Sequence, residues 1–212
     1  MAKITDNTKC KRCRRAGEKL SLKGERCSTA KCAMVKRNFP PGAHGANKRM
    51  GKLTNYGRQL LEKQKARRIY GIAEKQFRNY FDKALRKIGN TGELLFRFLE
   101  SRLDVTIYRL GLAPSIRQAR QLVSHGHFAV NDKKVNIPSY QVKAGDTVTV
   151  REKAVKNKYF SELAEKLSKK TDLAPWLFLE KGKLAGKVTG AAKLGDLPLN
   201  VDWRTIIEFY SK

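Results

Sequence analysis

Apolar residues recur at helical spacing through the first half of the chain. Phe77, Phe81, Leu85 and Ile88 fall at i, i+4, i+8 and i+11, the stripe of a helix that buries one face. Arg78, Lys83, Arg86 and Lys87 lie largely off that stripe. The helical pattern runs from Tyr56 to Leu99, punctuated at Gly71 and between Gly89 and Gly92. Asn90-Thr91-Gly92-Glu93 predicts a turn followed by an acidic first helical turn. Leu94, Leu95, Phe98 and Leu99 are the expected apolar face of that next helix.

Beyond Arg102 the period changes. A helix ends at Gly111, and Ser115 is a good N-cap for another running to about Ser124. On it Ile116, Ala119 and Val123 face inward, whereas Arg117, Arg120, Gln121 and Ser124 share the outward face. Phe128-Ala129-Val130, Asn131-Asp132-Lys133-Lys134 and Val135 predict a hairpin. Asp146 to Arg151 alternates as a half-buried strand. Ala154 to Lys170 is charged and helical, with Phe160, Leu163 and Leu167 on one side. Trp176 to Leu179 reads as a short strand or packing segment, followed by a basic stretch marked by Gly182, Gly186 and Gly190.

Charge narrows the function. Lys and Arg number 46 against 19 Asp and Glu, a formal net charge of +27, in a chain that is 41% hydrophobic. So apolar a chain is no disordered basic tail, and so much positive charge seeks a polyanion. Even Leu94-Leu95-Phe96 is followed at once by Arg97, Glu100 and Arg102, far short of the roughly 20 apolar residues of a membrane span. The opening Met1-Ala-Lys-Ile-Thr-Asp lacks the pattern of an export signal. A cytoplasmic nucleic-acid partner follows.

The four cysteines, Cys10, Cys13, Cys27 and Cys32, are spaced C-x2-C-x13-C-x4-C. Two pairs of thiolates on tight turns suit one tetrahedral, all-sulfur metal site. Two disulfides are disfavoured without an export signal. Zinc is the default metal, but four thiolates also hold an iron-sulfur cluster. Four protein ligands leave no open position, so such a centre is structural and its binding energy folds a polar stretch. Residues 1 to 50 hold 14 Lys and Arg against 3 Asp and Glu, which makes Arg12, Arg14 and Arg15 candidate phosphate contacts.

Phe39-Pro40-Pro41-Gly42-Ala43-His44-Gly45-Ala46 predicts an ordered loop and lacks the arrangement of a nucleotide-binding loop, two glycines five apart followed by Lys and Ser or Thr. His125-Gly126-His127 has neither metal-ligand helical spacing nor a nearby nucleophile, so these histidines are assigned to RNA or backbone hydrogen bonding. Together with Arg117, Arg120, Lys133 and Lys134, they form an expected basic patch at a helix-to-hairpin edge. No catalytic constellation is visible in the sequence.

Several segments resemble the ribosomal S4 family, in its bacterial-type, zinc-finger-bearing form. They are Tyr56 to Lys65, Glu74 to Phe81, Arg102-Leu103-Asp104, Tyr108 to Gly111, Ala119 to His127, Val135 to Tyr140, the cysteine arrangement, and the ending Ile206 to Lys212. Asn131-Asp132 departs from the family's usual Asn-Gly, and Val105 replaces its usual asparagine.

The resemblance implies an α+β chain. A mainly helical first domain carries the N-terminal four-cysteine metal-binding segment, over 1–98 and completed by 199–212. An S4-type RNA-binding domain of helices and a small antiparallel sheet is inserted at 99–198, with its core at about 102–165. It further implies a structural component of the small ribosomal subunit that binds 16S-type rRNA at a helical junction, nucleates assembly and influences decoding accuracy. Neighbouring subunit proteins, S5 among them, and mRNA near its entry channel would be partners. Arg102 and Arg109 lie in the matching segments and join the candidate contacts. In the first domain the candidates are Arg49, Arg58, Lys65, Arg67 and Arg68. An RNA-modifying enzyme built on the same module and a free-standing RNA-binding regulator are the rival readings.

Overall fold

The computed structural model of the chain describes residues 9–47, 53–168, 173–180 and 184–211. They divide into two compact units. One runs to Phe77 and resumes at Asn200; the other spans Arg78–Leu199.

The first unit opens with three short helices, α1 (Lys9–Ala16), α2 (Glu25–Ser28) and α3 (Ala33–Lys36). Their core is small: Cys13, Ala16 and Leu20 are buried, with Leu22, Met34 and Ile69 packed partly against them. The Phe39–Gly45 loop is held by Arg14, whose Nε and Nη2 donate to the carbonyls of Phe39 (2.8 Å) and Pro40 (3.0 Å). Its guanidinium also lies 4.7 Å from the centre of the Phe39 ring, a cation–π placement. Gly45 is required there, because a Cβ would collide with the Pro40 carbonyl.

Helix α4 (Asn55–Ile69) is capped by Thr54, whose hydroxyl accepts from the Gly57 N–H at 3.1 Å. Its buried residues include Gln59, Lys63 and Lys65 beside Ala66. A helix that buries lysines needs carboxylates, since an unpaired buried ammonium is costly. Lys63 Nζ meets Glu74 at 2.7 Å, and Lys65 Nζ meets Glu18 at 2.9 Å and Glu62 at 3.2 Å.

Helix α5 (Glu74–Leu85) crosses from the first unit into the second. Phe77 and Phe81 are buried as the stripe requires, but Leu85 and Ile88 are exposed. The helix stops at Leu85 and the chain turns through Gly89 (φ 129°), so Ile88 never occupies a helical position. Asn90 caps α6 (Thr91–Glu100) by accepting from Gly92 and Glu93. The buried face is Leu95, Phe96 and Leu99, whereas Leu94 and Phe98 are only half-buried.

The second unit continues with α7 (Leu103–Arg109) and α8 (Ile116–Ser124), the latter capped by Ser115, which accepts from Gln118 N–H. Then come β1 (Phe128–Val130), β2 (Lys133–Lys134) and β3 (Thr147–Val150). The helix expected over 154–170 is broken into α9 (Glu152–Val155) and α10 (Lys158–Ser168). Strands β4 (Leu177–Glu180) and β5 (Ala185–Val188) follow. The sheet is antiparallel throughout, in the order β2-β1-β3-β5-β4, with Val130 opposite Val148 and Val148 opposite Gly186. The sheet extends past the expected core of 102–165, since β4 and β5 lie beyond it but within the expected 99–198.

The β1–β2 turn has positive φ at both Asn131 (48°) and Asp132 (64°), as a two-residue hairpin of this type demands. Asn131 is further tied to β3: its Nδ2 donates to Asp146 at 2.8 Å and its Oδ1 accepts from Thr147 N–H at 2.9 Å. Helix α10 covers the sheet through buried Phe160, packed edge-on to Phe128, while Tyr159 donates to the Leu112 carbonyl at 3.1 Å.

The chain then returns to the first unit as α11 (Trp203–Tyr210), packed along α4 with Trp203 and Ile206 buried. Asp202 caps it by accepting from Thr205 N–H, and donates its own N–H to Glu62 at 3.1 Å. Tyr210 donates to Glu74 at 2.7 Å and stacks with Phe77. Glu74 therefore serves Lys63, Arg67 and Tyr210 together. Burial would raise its carboxyl, but those partners hold it below the usual carboxylate range.

The compact units meet at Phe77/Arg78, inside α5. The second half of α5 is claimed by the inserted unit because Tyr80 accepts a hydrogen bond from Arg102, in the network described below.

Gly186 lets β5 approach the end of α7, since a Cβ there would lie 2.5 Å from Cδ2 of fully buried Leu110. Gly186→Val should therefore destabilise the chain by about 1–3 kcal/mol through overpacking. Urea unfolding would read this as a lower midpoint; an unchanged midpoint would contradict the close approach.

A candidate nucleic-acid interface

Two sets of basic side chains stand out, one in each unit. In the first unit, α1 packs its Cys13–Ala16 side towards Ile69, at the end of α4. That packing brings Arg12 and Arg15 to the last turn of α4, where Arg67 and Arg68 reside. Burial pushes the half-buried Arg68 guanidinium below its ordinary value, and the charges of Arg12, Arg15 and Arg67 push it the same way. Arg67 donates to Glu74 at 3.2 Å. Arg12, Arg15 and Arg67 thus lie within electrostatic reach of Arg68, and the carboxylate that Arg67 meets is already shared with Lys63. Such crowding is unfavourable in the free chain and is relieved by a multivalent anion.

In the second unit, α8 buries Ala119 and Val123, leaving Arg117, Gln121 and Ser124 exposed and Ile116 half-buried. At its end Gly126 (φ 72°) lies under Lys134, the lysine Cε being 2.7 Å from where a Cβ would stand. Arg151 Nη1 donates to the Gly126 carbonyl at 3.2 Å. His125 is exposed and its ring centre is 5.9 Å from that of half-buried His127, which packs on Phe160. Burial lowers the His127 pKa, with the His125 and Arg151 charges acting the same way. Lys133 and Lys134 are exposed on β2.

The structure thus gathers Lys134, His125, His127 and Arg151 at the C-terminal end of α8. Arg117 sits in the first turn of that helix, about 12 Å of helical rise from His125. Arg120 turns inward to Asp104.

Three of the expected contacts are paired within the fold. Lys65 is 3% exposed and paired with Glu18 and Glu62. Arg102 is 1% exposed, donating to Asp104 through Nε (3.0 Å) and Nη2 (2.8 Å) and to Tyr80 through Nη1 (2.9 Å). Burial alone would lower its pKa, but Asp104 and Tyr80 together raise it. Arg109 makes a two-pronged pair with buried Glu100, at 2.9 and 2.8 Å. These cations hold the fold together. Arg14 is likewise committed to the Phe39–Pro40 loop. Arg58 is exposed on α4, and Arg49 lies outside the described residues. Arg151 was missed because its one clue, a bond to a turn carbonyl, depends on the hairpin's placement.

All four cysteines are free thiols; Cys13, Cys27 and Cys32 are buried and Cys10 is half-buried. Burial pushes the Cys13 thiol up, opposed by a hydrogen bond with the Leu20 backbone, and Cys27, Cys10 and Cys32 push it further up. The Lys23 N–H donates to Cys27 Sγ at 3.3 Å. The thiols are thus gathered within electrostatic reach. Among the described residues, however, no three of His, Cys, Asp and Glu are arranged to hold a metal ion. None of the described helices is long and apolar enough to cross a membrane.

Known sequences add to this geometry. The profile of the Ribosomal protein S4/S9 N-terminal domain matches residues 5–100, and that of the S4 domain matches residues 101–148. The chain is 55% identical over 212 residues to small ribosomal subunit protein uS4A of Alkaliphilus metalliredigens (strain QYMF), covering all of both chains. The chain belongs to the ribosomal protein S4 family. Two further relatives are small ribosomal subunit protein uS4 of Acetivibrio thermocellus, 50% identical with both chains covered in full, and of Halothermothrix orenii, 51% identical with 96% of each covered. The junction of the two matched profiles, at residues 100 and 101, falls next to Arg102, where the S4-family chain passes from α6 into α7.

Arg68→Ala should separate function from stability. Removing the half-buried cation should weaken binding to small-subunit rRNA by about tenfold, the effect of one charge-assisted contact. The free protein should melt no lower than wild type, because the Arg12, Arg15 and Arg67 repulsion is eased. A drop in melting temperature with unchanged affinity would reverse the assignment.

Proposed function

We propose that the chain is a structural rRNA-binding component of the small ribosomal subunit, working in the cytoplasm as scaffold and not as enzyme. Crowding of Arg12, Arg15, Arg67 and Arg68 at one helix end carries the reading. A cluster that is unfavourable in the free protein is accounted for by the phosphates it is built to meet. The relatives named above are small-subunit proteins, which supports the same conclusion. In finer terms, each unit offers its own cationic surface, so the chain contacts two stretches of folded 16S-type rRNA and organises a helical junction. Such a clamp stabilises one arrangement of the junction, the act that nucleates assembly. Neighbouring subunit proteins, S5 among them, and mRNA near its entry path complete the proposed set of partners, with an influence on decoding accuracy.

The second part of the proposal is one structural metal centre held by Cys10, Cys13, Cys27 and Cys32, zinc or an iron-sulfur cluster. Its support is the donor set: four free thiols in one short segment, three of them buried, with a backbone N–H already aimed at Cys27. When bound, the metal would supply cross-linking to a segment whose apolar core is only a few residues.

For the RNA surface of the second unit, Arg117→Ala, Lys133→Ala and Lys134→Ala combined leave Arg120 and the buried apolar face intact. The triple variant should fold normally and bind the rRNA junction more weakly. Its log affinity should depend less steeply on log salt, by about 0.7 to 0.9 per phosphate contact removed. Filter binding at several salt concentrations, with circular dichroism of the free protein, measures both. An unchanged slope and affinity would make this face solvated surface.

For the metal, Cys13→Ser should abolish one equivalent of bound metal in elemental analysis and reduce hydrogen-exchange protection over residues 9–47, leaving the unit after Arg78 unchanged. An optical spectrum distinguishes zinc from iron-sulfur. Wild-type protein that is metal-free yet equally protected would exclude the centre.

A further inference from the structure

Asp104 is fully buried, yet it serves two arginines. Arg102 binds both of its oxygens, and Arg120 reaches Oδ2 from α8 with Nε and Nη2, each at 3.1 Å. One carboxylate therefore answers two guanidiniums. Arg102 is sealed inside at 1% exposure, while the Arg120 side chain is 35% exposed. Of the two, Arg120 is the one that reaches solvent. Asp104 is itself immobile: its N–H donates to the Pro138 carbonyl at 3.2 Å, and the preceding Leu103 N–H donates to the Tyr140 carbonyl at 2.8 Å.

A guanidinium held along its Nε side has its plane fixed before any ligand arrives. Fixing that plane matters for phosphate recognition, because the bidentate fork is directional whereas an ammonium is a point charge. A freely rotating arginine loses rotamer freedom on binding; one already held loses less.

We propose that Asp104 is a positioning residue for RNA binding, which orients the Arg120 guanidinium from below so that it meets an rRNA phosphate in a preset plane. The inference rests on the rRNA-binding reading above and goes beyond it, by assigning a binding role to a buried acid that never touches RNA.

The positioning role reverses the sign expected from bulk charge. Asp104→Asn makes the chain more positive, so an effect of charge alone would tighten binding, whereas loss of positioning weakens it. Arg120→Lys keeps the charge and leaves the Arg102–Asp104 pair in place, but removes the fork. The test uses the full chain with an in vitro transcript of small-subunit rRNA, titrated by filter binding across salt concentrations, with thermal melts of each free variant.

The expected result is a loss of about tenfold for Arg120→Lys, close to that for Arg120→Ala, with the salt slope of Arg120→Lys held at the wild-type value. Asp104→Asn should weaken binding of wild type but add no further loss to Arg120→Ala. Arg120→Lys binding within about twofold of wild type overturns the proposal, being well short of the tenfold effect of a lost charge-assisted contact. An additive loss in the Asp104→Asn, Arg120→Ala double variant overturns it too. If Asp104→Asn fails to fold, Arg120→Lys decides the matter by itself. Wild type that does not bind the transcript would instead strike at the rRNA-binding reading.

Discussion

The second unit is organised around a charge that had to be taken out of water. Asp104 has no solvent exposure, and a carboxylate so placed is tolerable only if strong donors surround it. Those donors come from different parts of the unit. Arg102 precedes α7 and Arg120 comes from α8; Tyr80 on α5 accepts from Arg102 in turn, and the Pro138–Tyr140 loop, though no donor to the carboxylate, fixes the backbone by accepting from the N–H groups of Leu103 and Asp104. Removing one partner from such a cluster typically costs about 3–5 kcal/mol. The elements are held to one geometry because each carries part of the compensation for the same ion. This also explains why α5 is divided between the two units.

The first unit answers the same physical demand differently. Its apolar core is sparse, and α4 buries Gln59, Lys63 and Lys65 where a typical amphipathic helix would bury leucines. Glu18, Glu62 and Glu74 make that possible. They are drawn into holding the α4 lysines and the returning α11. Arg12, Arg15 and Arg68 are consequently left in like-charged company at the helix end. Internal pairing and the anion-seeking surface are two sides of one allocation of carboxylates.

Much of this was legible in the sequence. Ser115, Ala119 and Val123 specified α8 and its inward face, and Asn131-Asp132 specified a turn that takes positive φ at both positions. The helices between Tyr56 and Leu99 were legible, and the change of period after Arg102 marked where strands enter. Ion pairing, even with near neighbours in sequence, was one thing that escaped. Charge and position nominated Lys65, Arg102 and Arg109 as surface cations, yet each has a carboxylate that folding brings into place. Strand β4 was half-legible at Trp176 to Leu179, but β5 escaped because Gly186, which only punctuated a basic stretch, is a close-packing residue against Leu110. Leu85 and Ile88 fit a helical stripe on paper, but the helix ends before the stripe does.

The closure of α4 by α11 bears on the order in which the chain matures. The inserted unit, Arg78–Leu199, is continuous, so its parts are all present once residue 199 has been made. The first unit begins earlier but lacks its partner for α4 until the residues after Asn200 follow. Glu74 waits for Tyr210, and Glu62 waits for the Asp202 N–H. During synthesis, where domains fold as units, the segment made first is therefore the one completed last. Its lysine-bearing helix stays partly uncovered while the inserted unit is already competent to fold.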